Sequence, residues 1–212
     1  MKLQSRHLLY KRAKSTKDAK LIVIYCEGKK REKDYFNYFV GISSKIKLEV
    51  EEPGQHDNNS PTGLYEKALF HKKEKKYEEF DEIWFVIDTD KWGEQINKTR
   101  AETKKYNWNI AQSNPCFEVW LFYHLFKFEE FKGMHISDNW KPFLNKKIPG
   151  GFDSRKYPIF IKTAVENAKD KFNDSIDIGS TEVYKLAESF YPYISDEIEA
   201  ALSQTTSKTN SK

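Results

Sequence analysis

The chain has 212 residues, 32% of them charged and 38% hydrophobic, with 36 Lys and Arg against 32 Asp and Glu for a formal net charge of +4. Charge at this density exceeds the ~25% of an average globular chain. Yet 15 Phe, 12 Tyr and 5 Trp can each bury roughly 150–250 Å² in a core, which argues against a wholly disordered protein, and the mild excess of cations excludes a histone-like polycation.

Residues 1–19 carry Lys2, Arg6, Lys11, Arg12, Lys14 and Lys17. This basic arm is compatible with phosphate binding and equally with a solvated, frayed terminus. Polar residues interrupt every apolar run there, so no signal peptide is expected. The longest apolar stretch, residues 119–126, contains His124 and falls far short of a membrane span. Cys26 and Cys116 form no CxxC pair and read as reduced, buried thiols of a cytoplasmic protein. The five histidines show no zinc spacing.

Lys20 to Cys26 (KLIVIYC) is a continuous β-branched run, read as a buried strand that ends at Glu27-Gly28. Residues 31–40 have helical spacing, with Tyr35, Phe36 and Phe39 on one face. Residues 47–51 alternate as a short strand, residues 53–61 form a loop rich in Gly, Asn and Asp, and residues 62–77 a lysine-rich helix. A second buried strand, 82–87 (EIWFVI), stops at Asp88-Thr89-Asp90. A helix over 94–106 and a strand over 109–112 follow. Asn114-Pro115 then suits the start of an apolar helix reaching residue 126, with Asn at the cap and Pro at the first position. Strand and helix alternate throughout, which predicts an α/β fold: a Rossmann-like, mostly parallel sheet flanked by helices. Past Gly150-Gly151, helices are expected over 157–172 and 181–191. The expected organisation is a basic arm (1–19), an α/β core (20–130), a helical extension packed on it (131–202) and a disordered polar tail (203–212).

In an open parallel sheet, ligands bind beyond the carboxyl ends of the strands. Acids recur there in this chain. Glu27 follows the first strand, Asp88 and Asp90 follow the third, and Glu118 lies one turn into the helix after the fourth. Such a cluster repels itself without a cation, and Mg²⁺ favours oxygen ligands. Taken singly, Glu27 reads as a turn residue, and Asp88 and Asp90 as Asx turns or caps. Glu118 shares a face with Leu121, Phe122 and Leu125, and a carboxylate buried there needs a cation or donors. Lys29, Lys30 and Arg31 suit a phosphate or a plain basic turn. Ser113 and Asn114 suit a helix cap, or polar groups pointing to the same edge. No GxxxxGK[ST] is present, which disfavours a P-loop NTPase.

A hydrophobic strand ending in Glu-Gly, followed later by a strand ending in DxD, resembles a Toprim domain. More narrowly, the chain resembles the RloB family of restriction-locus and abortive-infection proteins. The similarity lies in VIYCEGKKREKDYF (23–36), WFVIDTD (84–90), GSTEVYKL (179–186) and above all IAQSNPCFEVWLFYHL (110–125). Lys29 and Arg31 depart from the Glu-Lys-Thr-Glu that often follows Glu-Gly in that family, while Lys30 and Glu32 keep it. The resemblance implies a Toprim fold and Mg²⁺- or Mn²⁺-dependent cleavage of nucleic-acid phosphodiesters, in RNA such as tRNA or in DNA, as part of anti-phage defence. Glu27 would take the general acid/base position, and Asp88 and Asp90 would hold the metal. Glu118 is added here as a further ligand, Lys30 as the cation beside the scissile phosphate, and Lys29, Arg31, Ser113 and Asn114 as substrate contacts. An ABC/OLD-like ATPase is the expected partner, with no membrane and with homo-oligomerisation left open. The alternative is a non-catalytic Toprim-like nucleic-acid-binding or signalling subunit of such an ATPase complex. A phosphohydrolase using Asp88 as nucleophile is disfavoured, because its DxD would belong to the first strand.

Overall fold

The computed structural model describes residues 19–51, 58–74, 77, 81–89, 92–130, 137–172 and 175–209. The basic arm and Asp90 therefore lie outside the described residues. Four strands, β1 (Lys20–Cys26), β2 (Ile46–Glu51), β3 (Glu82–Asp88) and β4 (Asn109–Ser113), form one sheet in the order β2-β1-β3-β4. Every pairing is parallel. The connections are helical: α1 (Arg31–Asn37), α2 (Pro61–Glu74) and α3 (Glu94–Lys104). The fold is α/β and Rossmann-like.

The central strands β1 and β3 are apolar on both faces, so each face seeds its own core. Ile22, Ile24, Cys26, Trp84 and Val86 face one layer, with Tyr35, Phe36 and Phe39 of α1. Leu21, Val23, Tyr25, Phe85 and Ile87 face the other, with Leu64 and Ala68 of α2 and Ile96 of α3. The first layer also takes in the C-terminal helices: α5 (Ser137–Lys147) through Trp140 and Leu144, α6 (Ile161–Lys171) through Ile161 and Ala164, α7 (Val183–Phe190) through Leu186 and Phe190, and α8 (Ser195–Thr209) through Ile198. Both cysteines are free and buried. Among the described residues no helix is long and apolar enough to cross a membrane.

Three expectations need correction. The helix expected over 114–126 is α4 (Glu118–Phe122), five residues only. The Asn114–Pro115 peptide is cis. Asn114 gives its backbone N–H to Ser180 O and accepts from Gly179 N, so it pairs with a distant segment instead of opening a helix. Helix α5 falls within the expected helical extension but was given no bounds of its own, and Pro142 sits inside it. The polar tail read as disordered from residue 203 is helical through Thr209. There, Ser203 and Thr205 hydroxyls donate to the carbonyls of Glu199 and Ala201, four residues back.

One buried polar group ties α1 to α4. The Tyr35 hydroxyl lies 3.0 Å from His124 Nε2, and His124 Nδ1 lies 3.1 Å from Trp120 O. A carbonyl only accepts, so Nδ1 carries the proton and Nε2 accepts from Tyr35. Full burial pushes the imidazole pKa down to about 3. A base depressed on folding lends stability above its unfolded pKa of ~6.5, and that stability is lost as the pH falls towards the folded value. Between pH 7 and pH 5 we expect His124 alone to remove about 2 kcal/mol of stability. Urea denaturation at the two pH values checks this, and His124→Phe should lack that loss.

Candidate functional site

The chain leaves β1 in one direction to make β2 and returns on the other side to make β3 and β4, so the strand order reverses between β1 and β3. Helices diverge at such a point and leave a crevice at the carboxyl edge. Glu27 follows β1 directly and Asp88 is the last residue of β3. Parallel pairing brings these ends together. Glu27 N donates to Val86 O at 3.1 Å, and Asp88 N donates to Glu27 Oε2 at 3.0 Å. Glu27 is 6% exposed, and its carbonyl accepts from Asn59 Nδ2 ahead of α2.

A third acid, missed as a site residue from the sequence, joins them. Glu32 in the first turn of α1 is buried. Its carboxylate folds over the turn at Gly28, where a Cβ would lie 1.9 Å from Glu32 Oε2. A side chain at position 28 would displace this carboxylate. Burial foremost, and then the charges of Glu118 and Glu27, push the Glu32 carboxyl up to about 7. The signal was available: Tyr35, Phe36 and Phe39 follow Glu32 at i+3, i+4 and i+7, the same spacing that marks Glu118.

Glu118 does lie against the apolar layer, and it has found a cation. Arg31 Nη1 donates to Glu118 Oε1 at 2.8 Å, joining α1 to α4. These two residues, expected as metal ligand and substrate contact, thus engage each other. Cys116 lies beside this edge, and burial followed by the charges of Glu118 and Asp88 holds its thiol protonated. Lys29 and Lys30 are exposed on the loop above. Ser113 and Asn114 face elsewhere. The Ser113 hydroxyl is fully buried against Thr181 Oγ1 at 2.8 Å, and Asn114 Nδ2 donates to Ile176 O. Their polar groups are taken by the C-terminal segment, which corrects the expected substrate contacts.

Among the described residues, no three His, Cys, Asp or Glu side chains are grouped so as to hold a metal ion. Glu27 and Glu32 lie close enough to raise one another's charge cost, second to burial, and Asp88 joins Glu27 through its backbone N–H, so the oxygen donors at this edge are carboxylates. That chemistry fits a hard divalent cation.

A scan against protein-family models matches the RloB-like protein family over residues 22–190. The chain belongs to the RloB-like family. The match spans both strand-end acids, Glu118 and the segment that seals β4. Searches of the curated proteins and of the solved structures returned no match.

The Glu32 carboxyl, raised on folding, lends stability below its unfolded pKa and loses it as the pH rises through the folded value of about 7. Glu32→Gln removes that cost. We expect the variant to gain about 2–3 kcal/mol over the wild type between pH 5 and pH 8 in the absence of divalent cations, as read by denaturant titration.

Proposed function

We propose that this RloB-like protein is a divalent-cation-dependent nuclease that hydrolyses phosphodiester bonds of nucleic acid. One observation carries the reading: the acids that end β1 and β3, Glu27 and Asp88, meet at the reversal point of a parallel sheet, locked by a carboxylate-to-backbone bond. The Toprim-like pattern supports it, since its Glu-Gly and DxD are these same residues.

Asp88, with Asp90 two residues on, would hold Mg²⁺ or Mn²⁺ together with Glu27. When bound, such an ion neutralises phosphate charge, activates water and stabilises the leaving oxygen. Glu27 is anchored through Oε2, which fixes where its carboxylate can take or return a proton. Lys30 and Lys29, exposed above this edge, supply cations for the phosphate backbone. Arg31 is committed to Glu118 and holds α1 against α4. Anti-phage defence in the cytoplasm, with an ABC/OLD-like ATPase as partner, is the setting the family resemblance suggests.

The test is cleavage of labelled tRNA, single-stranded DNA and duplex DNA with Mg²⁺, Mn²⁺ or EDTA, with and without an added ABC/OLD-like ATPase. Glu27→Gln and Asp88→Asn should each reduce metal-dependent cleavage by at least ~10²-fold, the scale of a lost acid/base group. Metal-independent binding without cleavage of any substrate would instead support a non-catalytic subunit. Lys30→Ala should weaken binding and lower the salt dependence of affinity by about one phosphate contact.

A further inference from the structure

Residue Thr89 separates the two acids of the DxD, and its hydroxyl is the end point of a directed chain of hydrogen bonds. Arg100 Nη2 donates to Glu182 Oε2 at 2.7 Å and to Gln112 Oε1 at 3.0 Å. Gln112 Nε2 donates to Thr89 Oγ1 at 2.8 Å, and Thr89 Oγ1 donates to Ser113 O at 2.8 Å. Lys185 Nζ also reaches Glu182, at 3.0 Å. The direction is forced chemically. A guanidinium can only donate, so the Gln112 oxygen faces Arg100 and its amide NH₂ must face Thr89. With one lone pair taken by Gln112, the Thr89 hydroxyl proton goes on to Ser113 O. The Thr89 backbone N–H is held as well, by Ser113 O and Pro115 O.

Gln112 lies on the edge strand, and Glu182 embraces it. Glu182 N donates to Gln112 O at 2.7 Å, while Gln112 N approaches Glu182 Oε2 at 3.4 Å. Glu182 is nearly buried, and its carboxylate is matched by two cations rather than one. Asn97, Arg100, Gln112, Glu182 and Lys185 border an open cleft of about 440 Å³. What the chain of bonds does fix is the placement of Thr89, the residue directly after Asp88.

We propose that Gln112 is a positioning residue for the metal-holding Asp88, acting through the adjoining Thr89, and that Arg100 and Glu182 set the orientation in which it acts. The inference rests on the metal-site reading above. It gives the GSTE segment near the C-terminal end of the family match a role at a site more than ninety positions earlier in the chain, between Asp88 and Glu182. Partners of metal ligands of this kind control metal affinity by ~10–100-fold.

Two readouts on the full chain test it. Mn²⁺ is titrated into the protein and the free ion followed by electron paramagnetic resonance, for the wild type, Thr89→Ser, Thr89→Val, Gln112→Leu and Asp88→Asn. Thermal unfolding of each variant is recorded alongside. Hydrogen exchange over residues 86–96 is measured on the same proteins without metal. The expected result is Mn²⁺ affinity about tenfold weaker in Thr89→Val and Gln112→Leu, with faster exchange of the turn and a melting transition close to that of the wild type. Thr89→Ser keeps the hydroxyl and should match the wild type in both readouts. Wild-type affinity and wild-type exchange in both Thr89→Val and Gln112→Leu would overturn the proposal. If the wild type and Asp88→Asn bind Mn²⁺ equally, the metal reading fails. The exchange data then decide the positioning role by themselves, with unchanged exchange refuting it.

Discussion

The hydrogen bond from Asp88 N to the Glu27 carboxylate joins the ends of the two central strands, and the rest of the candidate site is arranged around it. A carboxylate left at a buried strand end without donors is costly. Here the donor is the backbone of the neighbouring strand, supplied by parallel pairing that runs from Ile22–Glu82 to Cys26–Val86. The constraint works in both directions. It fixes the Glu27 carboxylate at the reversal point of the sheet, and it places Asp88 at the same edge through its backbone.

Around that bond the protein concentrates negative charge and then manages it by different means. Glu118 is matched by Arg31, Glu182 by Arg100 and Lys185, and Glu32 by partial protonation. The near balance of 36 cations and 32 acids in the composition thus conceals how closely particular acids and cations are matched beside the strand ends. Partly buried pairs such as Arg31–Glu118 contribute little net stability in themselves, but they specify how α1 and α4 meet beside the site.

How far the site could be read in advance depended on the range of the interactions involved. The strands β1 and β3 are legible as apolar runs, which places Glu27 and Asp88 at their ends, while taken singly these acids read as turn residues or caps and only the parallel pairing brings them together. Glu118 was correctly marked by its apolar neighbours, and the same spacing around Glu32 carried the same information. Ser113 and Asn114 were misassigned because their partners, Thr181 and Ile176, lie more than sixty positions away. A helix start at Asn114-Pro115 is sound local chemistry, but tertiary pairing with residues 179–180 overrides it. Helix α5 was hidden by Pro142, and the end of α8 by its run of Ser and Thr, residues that favour turns until side chain-to-backbone bonds hold them in a helix.

Residues 179–182 lie along β4, with an antiparallel bridge between Ser113 and Thr181. An exposed edge strand offers a row of unpaired backbone groups to any other strand that meets it. The two edges of this sheet are guarded differently: β2 carries Lys47, Glu49 and Glu51, whereas β4 is sealed by this late segment of its own chain. During synthesis, the ribosome releases β4 well before its cover. For that interval the nascent protein presents an open edge of unpaired backbone groups, and the sheet end beside Asp88 lacks its cover. Closure of the sheet and completion of the site are then a single late event in folding, reached only after residue 182 has emerged.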